Sequence, residues 1–263
     1  VGDREADSTR LEEQQVTSAE PHLERRPGDA RVSLVIPCLN EERGLRRILP
    51  AIPSAVDEII IVDKQSTDGT IDVANWLCPT VVIIEQSSKG KGGALKEGLA
   101  AATGEIIVTM DGDGSMDPLD ILDALRVLDE GGFDFVKGSR GLSPGGSADF
   151  TRVRHFGNAV LTMLANKLSN ASWTDITYGF NAYRRDLIPV AISLMDGFEF
   201  EIQFATRLQN CGYNVGEFAS WESPRVGGES KLNSIRDGFR ILSVLLAERR
   251  RQADATHGST GAG

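Results

Sequence analysis

The chain has 263 residues, 40% of them apolar and 25% charged, a length and composition that fold as one large domain around a core of its own. Asp and Glu number 38 against 28 Lys and Arg, and the resulting net charge of −10 excludes broad nucleic-acid binding, which needs a basic footprint. Three cysteines without CxxC spacing and three histidines exclude a zinc ribbon and a His-rich metal site, and they set a reducing, cytoplasmic location as the expectation.

Residues 1–30 hold eight acidic and four basic residues and few large aliphatics, which predicts a disordered segment without a signal-peptide pattern. The folded part is expected to begin at residue 31. Val32 to Pro37 is a β-rich run stopped by proline, and similar runs cover 58–63, 80–85 and 105–110. These runs are almost continuously apolar, the pattern of strands covered on both faces. Helical spacing occupies the intervals 41–52, 68–77 and 91–102. The alternation predicts an α/β sheet with parallel strands and right-handed crossovers.

A further helix is predicted over 117–130 and a fifth strand over 133–138. The glycine-rich loop 141–147 then either links elements or covers a site. Helices are expected over about 151–169, 186–195, 198–211 and 231–251, with a strand-like stretch at 213–224. Residues 252–263 read as a disordered small-residue tail. No window reaches the ~18 uninterrupted apolar residues of a membrane span.

In a doubly wound sheet, ligands bind beyond the carboxyl ends of the strands. Those ends read Pro37-Cys38-Leu39-Asn40-Glu41, Asp63 to Gly69, Ser87 to Gly93, and Asp111-Gly112-Asp113-Gly114-Ser115. Asp111 and Asp113, two apart on a turn softened by glycine, can both face one divalent cation, and their hard oxygens suit Mg²⁺ or Mn²⁺. The alternative is a solvated acidic turn with Asp117 capping the next helix. An EF-hand fails, because Met116 and Leu122 stand where that loop needs glycine and glutamate. Gly90-Lys91-Gly92-Gly93 opens a helix whose N–H groups, with Lys89 or Lys91, suit a phosphate; an ordinary flexible loop is the alternative. Asp63 either accepts from a base or ribose or simply ends its strand. His155, the one histidine inside the expected fold, reads as structural.

Taken together, PCLNE (37–41), VDKQSTDGT (62–70), GKGGAL (90–95) and MDGDGS (110–115) resemble the inverting GT-A glycosyltransferases of family 2. KGSR (137–140), HFGN (155–158), TDITYGFNAYRR (174–185), GFEFE (197–201) and RVGGESKLN (225–233) resemble the dolichol- or polyprenyl-phosphate sugar transferase branch. The resemblance implies a GT-A fold, a mostly parallel Rossmann-like sheet flanked by helices, with residues 31–115 as the nucleotide half and 116–251 as the acceptor half. It implies metal-dependent, inverting transfer of a hexose from GDP-mannose or a UDP-hexose to a polyprenyl phosphate.

By the same resemblance, Pro37, Leu39, Asn40, Glu41 and Asp63 would surround the base and ribose, with Lys91 and Gly112 beside the nucleotide. Asp111 and Asp113 would hold the Mg²⁺ or Mn²⁺ that bridges the donor diphosphate. Asp113, Arg225 and Lys231 would form the catalytic group, and Lys137, Ser139, Arg140, Arg152, Arg154 and Asn158 would meet the acceptor phosphate. The chain departs from the branch at Leu39, where an aromatic is frequent, at Lys64-Gln65, and at Ser115, where glutamine is frequent.

A phosphate acceptor is already anionic, so it needs cations more than a strong base. A hydroxyl of a soluble or protein-linked acceptor is the alternative within the class, and it would need a base such as Glu201 or Asp175. More distant alternatives are a nucleotidyltransferase and a non-catalytic sugar-nucleotide binding protein. The final helix carries Leu232, Ile235, Phe239, Leu242, Val244, Leu245 and Leu246 with Arg236, Arg240, Arg249, Arg250 and Arg251. Such a helix over 232–251 either makes peripheral contact with a membrane or packs as a core helix. A homo-oligomer is compatible with this reading.

Overall fold

The computed structural model describes residues 30–226 and 234–259. Seven strands form the main sheet. β1 (Val32–Cys38), β2 (Glu58–Asp63), β3 (Val82–Glu85) and β4 (Ile106–Thr109) are parallel and lie in the order β3-β2-β1-β4. They are joined through α1 (Glu42–Ile48), α2 (Thr70–Leu77) and α3 (Gly90–Ala101). The register pairs Cys38 with Asp63 and Asp63 with Glu85, so the carboxyl ends finish level on one edge.

The chain continues through α4 (Asp120–Glu130), β5 (Phe135–Ser139), the short β6 (Gly146–Ser147), α5 (Arg152–Ser169) and β7 (Asn181–Arg184). It closes with α6 (Ile188–Ile192), α7 (Glu199–Asn210), β8 (Val215–Ala219), β9 (Trp221–Glu222) and α8 (Ser234–Ser259). β7 runs antiparallel between β4 and β5, β8 is parallel to β5 at the sheet edge, and β6 pairs with β9 as a separate ribbon.

Strand periodicity divides the core in two. Along β1, Leu34 and Ile36 join one cluster and Val35 the other, because successive side chains leave a strand on opposite faces. The first cluster packs Leu45, Ile48, Val73, Ile121 and Leu128 from α1, α2 and α4. The second packs Leu95, Leu99, Ala165, Phe204, Leu208, Ile241 and Leu245 from α3, α5, α7 and α8. Both faces of the sheet are therefore covered, as the continuous apolar runs predict.

Two expectations are corrected. β7 was not predicted, since Asn181-Ala182-Tyr183-Arg184 has no apolar run. It is buried all the same, and Asn181 supplies its own cross-sheet bonds: its amide donates to Thr109 Oγ1 at 3.2 Å and accepts from Lys137 Nζ at 3.3 Å. Residues 252–259 continue α8 where a disordered tail was expected; no proline or glycine interrupts them before Gly258. Of the two readings left open for the last helix, core packing holds for Ile241, Val244 and Leu245, which are buried, while Leu246 is exposed. Glu248 on the same helix is buried too, and its carboxylate accepts from Arg207 Nε at 2.6 Å. Residues 1–29 and Lys231 lie outside the described residues.

Candidate functional site

The loops after β1 and β2 are locked to each other. Asn40 adopts a left-handed backbone (φ 60°), and its side-chain oxygen accepts from Thr67 N at 2.8 Å. Asn40 N donates to Ser66 Oγ at 2.8 Å, and Glu41 N to Thr70 Oγ1 at 2.9 Å. Asp63 is buried at the end of β2 and accepts from Ser66 N at 2.9 Å and from Ser66 Oγ at 2.5 Å. Its carboxylate thus shapes the loop. Pro37, Leu39 and Glu41 are half-buried and Asn40 is exposed along this edge. The Cys38 thiol below them is pushed well up by burial first, then by the charges of Glu41, Asp63, Asp111 and Asp68. Acidic groups from three strand ends therefore converge on one place.

The Asp111-Gly112-Asp113-Gly114-Ser115 turn follows β4. Gly114 takes φ +77°, a conformation that strains any residue with a Cβ. Asp113 is buried, and its Oδ1 accepts from Ser115 N at 2.9 Å. Its Oδ2 lies 2.9 Å from Arg225 Nη2. Arg225 arrives on the segment after β9, which is laid across the turn by two backbone bonds, Ser223 N to Ser115 O at 2.8 Å and Val226 N to Asp113 O at 3.1 Å. Asp111 is paired differently. Its Oδ1 lies 2.5 Å from Lys91 Nζ, which also contacts Glu201 Oε1 at 2.9 Å. Burial opposes the charge of Lys91, but Asp111 and Glu201 outweigh it and hold the ammonium above its ordinary range. Gly179 makes room for this pair: a Cβ there would fall 2.6 Å from Glu201 Oε1 and 2.8 Å from Lys91 Nζ.

These contacts assemble three carboxylates, Asp111, Asp113 and Glu201, against two cations, Lys91 and Arg225. Excess negative charge and hard oxygens suit a divalent ion, and the Arg225 guanidinium already occupies a cation position on Asp113. Among the described residues no three His, Cys, Asp or Glu side chains are grouped so as to hold a metal ion by themselves.

The residues expected at an acceptor phosphate fall into two groups. Lys137 is fully buried, donates to the Tyr178 carbonyl and to Asn181 Oδ1, and its amine is pushed down by burial. Ser139 is also buried and shares a hydrogen bond of 2.5 Å with Thr174 Oγ1. Arg140 donates through Nε to Asp175 at 2.6 Å and through Nη1 to Glu222 at 3.0 Å, and lies between the rings of Phe150 and Tyr178, 4.2 and 4.6 Å from their centroids. In this structure these three side chains are bonded to the protein itself. Burial pushes the Asp175 carboxyl up, but the Arg140 bonds and charge, with Lys137 and Asn158, hold it below the usual range. Asn158 completes the group, donating to Asp175 Oδ1 at 3.0 Å. Arg152 and Arg154 remain exposed at the start of α5, Arg154 paired with Asp149 at 2.7 Å. His155 is exposed and lies edge-on to Phe150.

Sequence reasoning missed Glu222 and Tyr178. Glu222 sits in no motif, and Tyr178 lay in a recognised segment without an assigned role. Glu201 and Asp175, named as candidate bases for a hydroxyl acceptor, are paired here with Lys91 and Arg140.

Residues 33–189 match the family described as Glycosyl transferase family 2. An uncharacterized glycosyltransferase of Mycobacterium tuberculosis is 33% identical over 219 residues, covering 83% of this chain and 96% of its own. The glycosyltransferase AglJ of Haloferax volcanii is 27% identical, over 83% of this chain and 72% of its own. Among solved structures, glucosyl-3-phosphoglycerate synthase from Mycobacterium tuberculosis, in complex with Mn²⁺, UDP and phosphoglyceric acid, superposes with a TM-score of 0.64 at 22% identity, over 86% of this chain and 84% of its own. The α/β architecture is thus GT-A-like, with a mostly parallel sheet flanked by helices. On the family match and the relatedness to the mycobacterial protein, the chain is a glycosyltransferase and belongs to glycosyl transferase family 2.

Proposed function

We propose that this chain transfers a hexose, with inversion, from a nucleoside-diphosphate sugar to a polyprenyl phosphate, using Mg²⁺ or Mn²⁺. The donor side is supported by the carboxylate and cation cluster at the strand ends, and by the Mn²⁺ and UDP held by the structural relative. Asp111 and Asp113 would hold the ion, whose contribution is Lewis-acid stabilisation of the departing diphosphate. Arg225 would move from Asp113 to the diphosphate oxygens as the ion arrives. Lys91 would keep Asp111 oriented, with Glu201 as its counter-charge. Pro37, Leu39, Asn40, Glu41 and Asp63 would frame the base and ribose, beside Gly112.

One observation carries the choice of acceptor. Glu201 and Asp175, the carboxylates that a hydroxyl acceptor would need as a base, are each tied into a buried ion pair. An acceptor that brings its own negative charge needs no such base. Arg152 and Arg154, exposed near this edge, would draw it in, and Asn158 would order the Arg140 and Asp175 group beneath it. Lys231 is kept as a diphosphate contact on the family resemblance. A second reading, transfer to a hydroxyl of a small acceptor, is favoured by the phosphoglyceric acid in the structural relative.

The experiment offers GDP-mannose and UDP-glucose with Mn²⁺ to the protein, each with a short-chain polyprenyl phosphate and separately with 3-phosphoglycerate. Product on the polyprenyl phosphate alone supports the proposal. Product on phosphoglycerate alone replaces it with the second reading.

A further inference from the structure

We infer that the turn 194–197, between α6 and α7, is a clamp that sets Lys91 against Asp111 and Glu201, and that Lys96 and Gln203 are the positioning residues that hold it. Its consequence for the donor rests on the proposed role of Asp111, whereas the contacts that form the clamp do not.

α3 opens with Gly90-Lys91-Gly92-Gly93. Glycine is unfavourable inside a helix, so three of them in one turn need a physical reason. The reason is the close approach of the 194–197 backbone. A Cβ at Gly90, which takes φ +76°, would collide with the Asp196 carbonyl oxygen. One at Gly92 would fall 2.6 Å from the Met195 carbonyl oxygen and 2.7 Å from Phe200 Cβ. Gly93 N, a donor left open at the helix start, donates to Asp196 O at 3.1 Å. Lys91 thus stands between two glycines that both rest on the same turn.

The turn is tied from both sides. From α3, Lys96 Nζ donates to the Leu194 carbonyl and lies 2.6 Å from Asp196 Oδ1. From α7, Gln203 Oε1 accepts from Met195 N at 2.9 Å, and Gln203 Nε2 donates to Glu248 Oε1 on α8 at 2.7 Å. Gln203 and Glu248 are both buried, where water does not replace a lost partner. The turn runs directly into α7, whose first turn carries Glu201. The same four residues therefore fix the first turn of α3, with Lys91, and the first turn of α7, with Glu201. That spacing lets the ammonium meet Glu201 at 2.9 Å and Asp111 at 2.5 Å together. A misplacement of about 1 Å far from the chemistry can cost about a hundredfold in rate, so the clamp bears on turnover as well as on folding.

The test is a double-mutant cycle on the full chain. The clamp variant combines Lys96→Met with Gln203→Met, which keep the side-chain stems and remove the bonds, and it is made with and without Lys91→Met. In urea unfolding, the clamp variant should lower the folded-to-unfolded ratio by a factor at least about threefold smaller in the Lys91→Met background than in the wild type. Equal factors in the two backgrounds would overturn the inference. Calorimetric titration reads the consequence for the donor. The clamp variant should weaken Mn²⁺-dependent binding of UDP or GDP at least about tenfold, and so should Gly92→Ala, a change that favours the helix locally. Coupling to Lys91 in a clamp variant that binds nucleotide as the wild type does would remove the positioning role. A wild type that binds neither nucleotide, with the coupling present, leaves the clamp standing and removes the donor reading instead.

Discussion

The Arg225 guanidinium lies 2.9 Å from the Asp113 carboxylate, so a residue from the end of the sheet region closes a turn formed much earlier in the chain. The pair joins a cation to the carboxylate that a divalent ion would need. Arg225 should therefore compete with metal when no diphosphate is bound and assist the diphosphate when it is. Arg225→Ala is expected to tighten Mn²⁺ binding to the nucleotide-free protein about three- to tenfold, the scale of one partly exposed ion pair. The same variant should lower turnover at least tenfold, on the order of a lost transition-state contact to phosphate. Calorimetric Mn²⁺ titration and steady-state kinetics read the two effects; unchanged Mn²⁺ affinity would sink the competition.

Asp113→Asn keeps the size of the side chain and removes its charge. Metal-dependent binding of UDP or GDP should disappear, and turnover should fall by about a hundredfold or more. Titration with each nucleotide, with and without Mn²⁺, decides the point. Nucleotide affinity that still responds to Mn²⁺ in this variant would mean that Asp113 does not hold the metal.

Lys91→Met would leave Asp111 and Glu201 without the ammonium they share. The group is only partly buried, so urea unfolding at pH 7 should show a loss of about 1–3 kcal/mol. A loss below about 0.5 kcal/mol would argue that the shared ammonium does not support the two carboxylates.

Asp175 carries a pH dependence. Its carboxyl is held below the usual range in the folded protein, so its contribution is present above the unfolded value of about 3.9 and is lost as pH falls through the depressed folded value. Asp175→Asn should be several kcal/mol less stable at pH 7, on the order expected when a buried charge loses its partner. The two proteins should converge as pH drops below about 4. Parallel pH–stability curves would remove the Arg140–Asp175 pair as the cause.

Lys137 and Arg152 should separate cleanly. Arg152→Ala is expected to raise the acceptor KM about tenfold, the scale of one charge-assisted hydrogen bond to phosphate. Lys137→Met should raise it less than about twofold and act instead on stability, because its ammonium bonds to Tyr178 and Asn181 inside the sheet. A larger KM effect at Lys137 than at Arg152 would reverse their assignment.

Much of this was legible in the residues. The runs at 32–37, 58–63, 80–85 and 105–110 became β1 to β4 within a residue or two, since continuous apolar runs between helical spacings report parallel strands directly. β7 was not legible, because Asn181 buries itself through side-chain hydrogen bonds and leaves no apolar signature. The apolar residues of α8 were legible as a face but not as to what covers it. Ile241, Val244 and Leu245 meet the core, whereas Phe156 and Met163 stand exposed on α5, where the sequence reading placed Arg152, Arg154 and Asn158.

The sequence by itself determined the parallel half of the sheet and the polar ends of its strands, because strand, turn and helix periodicity are local properties of the chain. It placed Asp111 and Asp113 on one turn for the same reason. Only the tertiary structure decided which charges meet: Lys91 with Asp111 and Glu201, Arg225 with Asp113, Arg140 with Asp175 and Glu222. Each of these joins residues from different elements, and an ion pair depends on distance in space and on burial, neither of which is written in the local order of residues.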